Sequence, residues 1–165
     1  MYRRNGRGTS TDDHMRSARK ARITLFCCTM EYMETIHELE PFVRQYTVLL
    51  SSRRPDGSSA HTPVSIAVEG DHAYIRTFSS AWKVDRMRNH PVVEIAPCTV
   101  RGAPTGPPVK AWARLLPEGS KEDTHASRTM SRKYPALQGV AVPLVHRLKR
   151  DRTLHYELRP VVDDI

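Results

Sequence analysis

The segment Arg76-Thr-Phe-Ser-Ser-Ala-Trp-Lys83 gathers two cations, Arg76 and Lys83, and three hydroxyls, from Thr77, Ser79 and Ser80. A β-rich run precedes it and a helical pattern follows, so it lies where a strand hands over to a helix N-terminus. Such a terminus carries unpaired N–H groups and the positive end of the helix dipole. With two cations alongside, the chemistry it suits is the holding of a phosphate or a similar anion. The same serines also read as ordinary helix caps, and the segment alone leaves both possibilities open.

The flanking elements are legible from periodicity and turn chemistry. Tyr46–Arg53 is β-rich and closes in Pro55-Asp-Gly57, a turn signal. His61–Val68 follows, and Glu69-Gly-Asp71 turns it into Ala73–Thr77. Ala81–Asn89 reads as a helix with Val84 and Met87 pointing inward, ended by His90-Pro91 because the residue before a proline is driven out of helical geometry. Val92–Pro97 is a fourth strand, Cys98–Pro108 a loop, and Val109–Leu116 a fifth strand. A helix capped by Ser120 runs to about Lys133, another helical piece spans Leu137–Lys149 around Pro143, and Thr153–Leu158 is the last strand. Upstream, Thr35 and Glu38 form a capping box for a short helix whose apolar face is Ile36, Leu39, Phe42 and Val43, reshaped near Pro41. Tight hairpins force antiparallel pairing. The expected fold is therefore mainly β with flanking helices, a six-stranded antiparallel barrel that closes its own edges.

Bulk properties narrow the function. A length of 165 residues suits one domain, and no apolar run is long enough to span a bilayer. Of the net charge of +8, a share of +5 lies in residues 1–29, which lack hydrophobic periodicity. That stretch is expected to be a disordered basic extension preceding a domain over 30–165, with weak polyanion attraction and no specific nucleic-acid partner. Three cysteines, two of them the neighbours Cys27 and Cys28, make neither a disulfide framework nor a metal knuckle. A reducing, cytoplasmic setting is expected, with Cys98 packed rather than redox-active. Eight histidines show no HxH or HExxH spacing, so no metal is expected, and GxSxG, P-loop and GxGxxG elements are lacking.

The succession of the Pro-Asp-Gly hairpin, Thr62-Pro63-Val64, Gly70-Asp71, Arg76-Thr77…Lys83, Asn89-His90-Pro91-Val92-Val93 and Ala96-Pro97-Cys98…Arg101-Gly102…Gly106 has a counterpart. It resembles the actinobacterial deazaflavin-dependent branch of the pyridoxamine 5′-phosphate oxidase-like, FMN-binding split-barrel proteins, over residues 33 to 160. The resemblance implies a homodimer that binds coenzyme F420, or FMN in sister families, in a groove at the subunit interface. Thr77 and Lys83 would then be phosphate ligands, with Arg76 and Ser80 beside them. The strand Val48-Leu49-Leu50-Ser51, with Thr62, Pro63 and Val64, would form the wall for the tricyclic ring. Pro97, Cys98, Arg101 and Gly102 would belong to a loop reaching cofactor or substrate. Relatives often carry Ser or Arg, then Gly, where this chain has Ala81 and Trp82. Either a serine supplies the missing phosphate contact or Trp82 narrows the groove.

The activity implied is hydride transfer from reduced F420 to a C=C or C=N bond of a small molecule, chemistry that the cofactor carries and the protein orients. No dedicated catalytic side chain is required; His61 and Arg101 are candidate proton donors, His61 reading first as a plain surface strand residue. The basic run His146–Arg152 is either a solvated helix end or an attractor for the cofactor's acidic tail. Other functions compatible with the sequence are a non-catalytic F420 or FMN carrier on the same fold, an FMN-dependent oxidase or reductase, and a basic nucleic-acid-associated protein.

Overall fold

The first hairpin shows how turn chemistry sets the register. In the computed structural model of the chain, which describes residues 37–135 and 152–161, strand β1 (Thr47–Arg53) pairs with β2 (Ser59–Glu69) across the Pro55-Asp56-Gly57 turn. Gly57 adopts φ 84°, a left-handed value that a Cβ would strain. Asp56 Oδ1 accepts from the Ser58 N–H at 2.9 Å, and Arg54 Nη1 donates to Ser58 Oγ at 3.0 Å. A second turn at Gly70, φ 61°, leads into β3 (His72–Phe78).

The chain then forms helix α1 (Trp82–Asn89), β4 (Val92–Pro97), β5 (Val109–Leu115), helix α2 (Lys121–Lys133) and β6 (Thr153–Pro160). All strand pairs are antiparallel, and the sheet closes into a six-stranded barrel in the order β1-β2-β3-β6-β5-β4. The last strand in sequence thus fills the space between β3 and β5. All six expected strands are present, β2 starting at Ser59, two residues before His61. No helix among the described residues is long and apolar enough to cross a membrane.

Alternation places one residue of every two inside. Val48, Leu50, Val64, Ile66, Ala73, Ile75, Val93, Ile95, Tyr156 and Leu158 fill the interior, and Met87 of α1 joins them. α2 covers part of the outer face: Ala126, Met130 and Tyr134 bury Ala67, Tyr74 and Leu116 in a second cluster. The Tyr134 hydroxyl accepts the Ile66 N–H at 3.0 Å and lies 2.5 Å from the Tyr46 carbonyl. Ser120 caps α2 as expected, its Oγ accepting from the Asp123 N–H at 3.1 Å.

The early helical segment departs from expectation. A helical turn at 37–39 tightens into a 3-10 turn, Glu40–Phe42, with Pro41 in its first positions. Leu39 and Phe42 are buried, but Val43, expected on the same face, is 52% exposed. Three residues per turn rotate it away from the barrel, and its carbonyl accepts from Lys133 Nζ at 3.0 Å. The basic extension 1–29, Thr35 of the capping box, the helical piece 137–149 and residues 146–151 of the basic run lie outside the described residues.

Candidate functional site

Antiparallel alternation sorts the candidate residues before any ligand is considered. β3 pairs with β6 without interruption from Ala73 to Phe78, so Thr77 shares the inner face with Ala73 and Ile75, while Arg76 shares the outer face with Tyr74. The two neighbours expected to act together therefore point in opposite directions. Thr77 is buried and its Oγ1 has no hydrogen-bond partner among the described residues. Arg76 is half-buried on the outer wall, where burial pulls its pKa down and the nearby Tyr134 partly offsets that.

The loop to α1 answers the question of the serines. The N-cap residue is Ala81, which has no side chain to cap with. Ser79 is engaged elsewhere, its N–H donating to the Arg152 carbonyl at 2.8 Å and its Oγ accepting from the Arg152 N–H at 3.3 Å. Ser80 is exposed. The N-cap position itself therefore supplies no side-chain cap to α1. Lys83 sits in the first turn, half-buried, with no ion pair among the described residues. Burial, and secondarily Arg86, lowers its pKa. A half-desolvated ammonium without a carboxylate, in the first turn of a helix, is arranged to accept an anion.

The expected ring wall is divided in the same way. Val48 and Leu50 of β1 and Val64 of β2 belong to the core, and Thr62, opposite Leu50, shares their phase. Their side chains face the interior, because a residue adjacent in sequence to an outward-facing one is turned away from it. Leu49 and Pro63 remain, directly paired across β1 and β2 on the outer face, with Ala96 of β4 opposite Leu49.

One step along the strands, Ser51 pairs with His61 on one side and Glu94 on the other. Ser51 Oγ lies 2.8 Å from His61 Nδ1. His61 is thus an exposed imidazole held by a hydroxyl, with a carboxylate in the same row. Glu94 was missed from sequence; the signal available was its alternation with Ala96, whereas Ser51 ends the expected ring-wall run.

The loop 98–108 bounds this wall. It is a tight turn, with Cys98 bridging Pro104, the Thr99 N–H donating to the Ala103 carbonyl at 2.8 Å and the Thr105 N–H to the Pro97 carbonyl at 2.7 Å. Gly102 has φ 88°, and a Cβ there would fall 2.9 Å from Pro63 Cγ and 3.8 Å from Leu49 Cδ1. Its backbone therefore lies against the Leu49–Pro63 pair as only glycine allows. Pro97 and Cys98 are buried, and burial pushes the Cys98 thiol pKa up, against a role as a thiolate. Arg101 is exposed at the loop tip. The structure thus brings Leu49, Pro63 and Gly102 together on one wall, keeps Lys83 at the helix end, and turns Thr77 inward.

The sequence matches no family model and no curated relative. The architecture does have solved counterparts. A protein assigned as a pyridoxamine 5′-phosphate oxidase from Listeria innocua matches with a TM-score of 0.51 and 12% identity over 79% of this chain and 90% of that one. The heme storage protein HutZ from Vibrio cholerae gives 0.58 and 14% over 76% and 92%. An F420 reductase gives 0.50 and 14% over 74% and 93%.

The fold is the pyridoxamine-phosphate-oxidase split barrel.

At such identities the likeness carries the fold alone, and one barrel serves an oxidase assignment, heme storage and an F420 reductase. What this split barrel holds has to be argued from its own residues. The Leu49–Pro63 pair gives the outer wall an apolar stretch, and Lys83 places a cation in the first turn of α1. Thr77 Oγ1, buried and facing inward, is not presented to a ligand on the outer wall.

Proposed function

We propose that this split barrel binds a phosphate-bearing tricyclic redox cofactor, coenzyme F420 by preference and FMN as the alternative, and acts as an oxidoreductase. The reading is carried by Lys83, a half-buried cation without a carboxylate partner among the described residues, in the first turn of a helix whose N-cap residue, Ala81, has no side chain to cap with. An uncompensated charge of this kind is costly to keep in a folded chain unless a ligand anion answers it.

Lys83 and the first N–H groups of α1 would hold the phosphate, with Ser80 and Arg76 nearby in sequence. Leu49 and Pro63 would support one face of the ring, and the Gly102 backbone would limit how far it slides. When bound, the cofactor supplies hydride transfer to or from an electron-poor C=C or C=N bond. The protein orients the substrate and excludes water. His61 Nε2, on the imidazole whose Nδ1 meets Ser51, is free to exchange a proton with a substrate lying along the wall.

The outer faces of β4 and β5 carry the cross-strand pair Val92 and Trp112, 46% and 51% exposed. An apolar pair of this size suits burial against a second copy, so the working form proposed is a homodimer that completes the groove.

Titration of the protein with F420 and with FMN, followed by cofactor fluorescence, tests the reading. Micromolar or tighter binding of one cofactor supports it, and no binding of either refutes it. Mixing reduced F420, protein and a panel of enones, imines and quinones then separates a reductase from a carrier: binding without oxidation by any acceptor favours the carrier.

A further inference from the structure

Between the β1–β2 hairpin and α1 lies a cleft of about 730 Å³, a volume in the range of small-molecule sites. Arg53, Arg54 and Pro55 line it on the hairpin side, and Trp82, Asp85 and Arg86 on the helix side. Lys83 is not part of the lining, though its neighbour Trp82 is.

Three features make it a built site. Trp82 is 80% exposed. A lone exposed tryptophan would be unremarkable, but this one forms a wall, one helical turn from Arg86 and on the same face. Arg86 is held from below: Ser52, 2% exposed, uses its hydroxyl to accept from Arg86 Nε at 2.8 Å. With Nε fixed on the barrel rim, the plane of the guanidinium is set and its two terminal nitrogens remain for another acceptor. Finally, no carboxylate is paired with Arg86 or Arg53 among the described residues, and Asp85, the acid in the lining, lies 3.7 Å from Arg88 instead. Arg54 is occupied in holding the hairpin turn.

We propose that this cleft binds a small planar aromatic carboxylate, its ring against Trp82 and its carboxylate on Arg86 and Arg53. The guanidinium fork matches a carboxylate in geometry, the indole and the Pro55 ring supply apolar contact, and the charge of Asp85 disfavours a dianion. The proposal does not depend on the cofactor reading.

The test is calorimetric titration of the full chain with naphthoate, with naphthamide as the neutral isostere and inorganic phosphate as the bare anion. In parallel, the two indole N–H resonances, from Trp82 and Trp112, are followed by NMR and assigned with Trp82→Phe. Expected are a saturable shift of the Trp82 signal with the Trp112 signal unmoved, and binding of naphthamide and of phosphate weaker than that of naphthoate by about tenfold or more. Arg86→Gln should weaken naphthoate by about tenfold. Because Arg86 also satisfies Ser52, Arg53→Gln and Trp82→Leu, made at exposed side chains, keep the proposal open to refutation if Arg86→Gln misfolds.

No saturable Trp82 shift, equal binding of naphthamide, phosphate binding as tight as naphthoate, or unchanged naphthoate affinity in both Arg53→Gln and Trp82→Leu would overturn it. The titrations contain no flavin and the cofactor titrations no naphthoate, so either assignment can fail alone.

Discussion

Replacing Lys83 by methionine separates a binding role from a structural one, because the two predict opposite signs. The substitution keeps an apolar stem of similar length and removes the charge. Burial, with Arg86 adding to it, holds the Lys83 pKa below the ordinary lysine value. The folded chain therefore binds this proton less tightly than the unfolded chain, so the charged lysine costs stability at neutral pH. That cost fades as pH rises through the folded-state pKa. Lys83→Met should accordingly leave the melting temperature of the cofactor-free protein unchanged or higher.

Cofactor binding moves the other way. A charge-assisted hydrogen bond to a phosphate contributes about 1.5 to 3 kcal/mol, so affinity should fall roughly 10- to 150-fold. In the unsubstituted protein, affinity should also decline as pH rises through the lowered Lys83 pKa, a decline absent in the variant. Fluorescence titration with F420 and FMN across pH gives the affinities, and thermal melts without cofactor give the stabilities. Unchanged affinity rejects Lys83 as a ligand, and a loss of affinity matched by a drop in melting temperature assigns it to the fold instead.

Gly102→Ala must place a Cβ at φ 88° and 2.9 Å from Pro63 Cγ; a destabilisation of about 1 to 3 kcal/mol is expected in urea unfolding. Pro63→Ala in the same background should recover part of it, as a double-mutant cycle would show. Met87→Ala empties a side chain that is 1% exposed at the junction of α1 and the core, and should cost about 2 to 5 kcal/mol in the same assay. Burial raises the pKa of Glu157, but hydrogen bonds from Arg114 and Arg159 outweigh it and leave the pKa below the ordinary value. Its contribution is therefore present above the unfolded-state pKa and lost as pH falls through the folded-state one. Glu157→Gln should lower stability at neutral pH by about 1 to 3 kcal/mol, and the difference should vanish in acid melts.

The strands were legible because local chemistry declares them. Gly57 and Gly70 take the positive φ values that their turns require, and the runs between them alternate or are β-rich. What remained hidden was phase and partnership. Ile75 is a core residue, so Thr77, two positions on, faces inward with it, a phase that the segment Arg76–Lys83 does not declare by itself. Val48, Leu50 and Val64 likewise face the core, while Leu49 and Pro63 pair on the outer face. Contacts across long separations gave no local signal: the Tyr134 hydroxyl on Ile66, the pair of His155 Nδ1 and Asp123 Oδ1 at 2.7 Å, and the brace from Ser52 to Arg86 each depend on how the barrel closes. Lys83 drew attention as a cation where a strand hands over to a helix N-terminus, and that position is where the chain places it. The cleft beside it was not, since its two sides lie on elements about thirty residues apart.

Strand β6 pairs with β3 on one side and β5 on the other. During synthesis, both of those strands are complete long before residues 153–160 emerge, and each must wait with a row of unpaired backbone groups along one edge. Open edges are templates for joining to other chains, and the contacts that cover them span much of the sequence and form late. The nascent barrel is therefore exposed to misassembly until its final strand arrives, and shortening the chain by those eight residues removes the seam of the barrel rather than an ornament at its end.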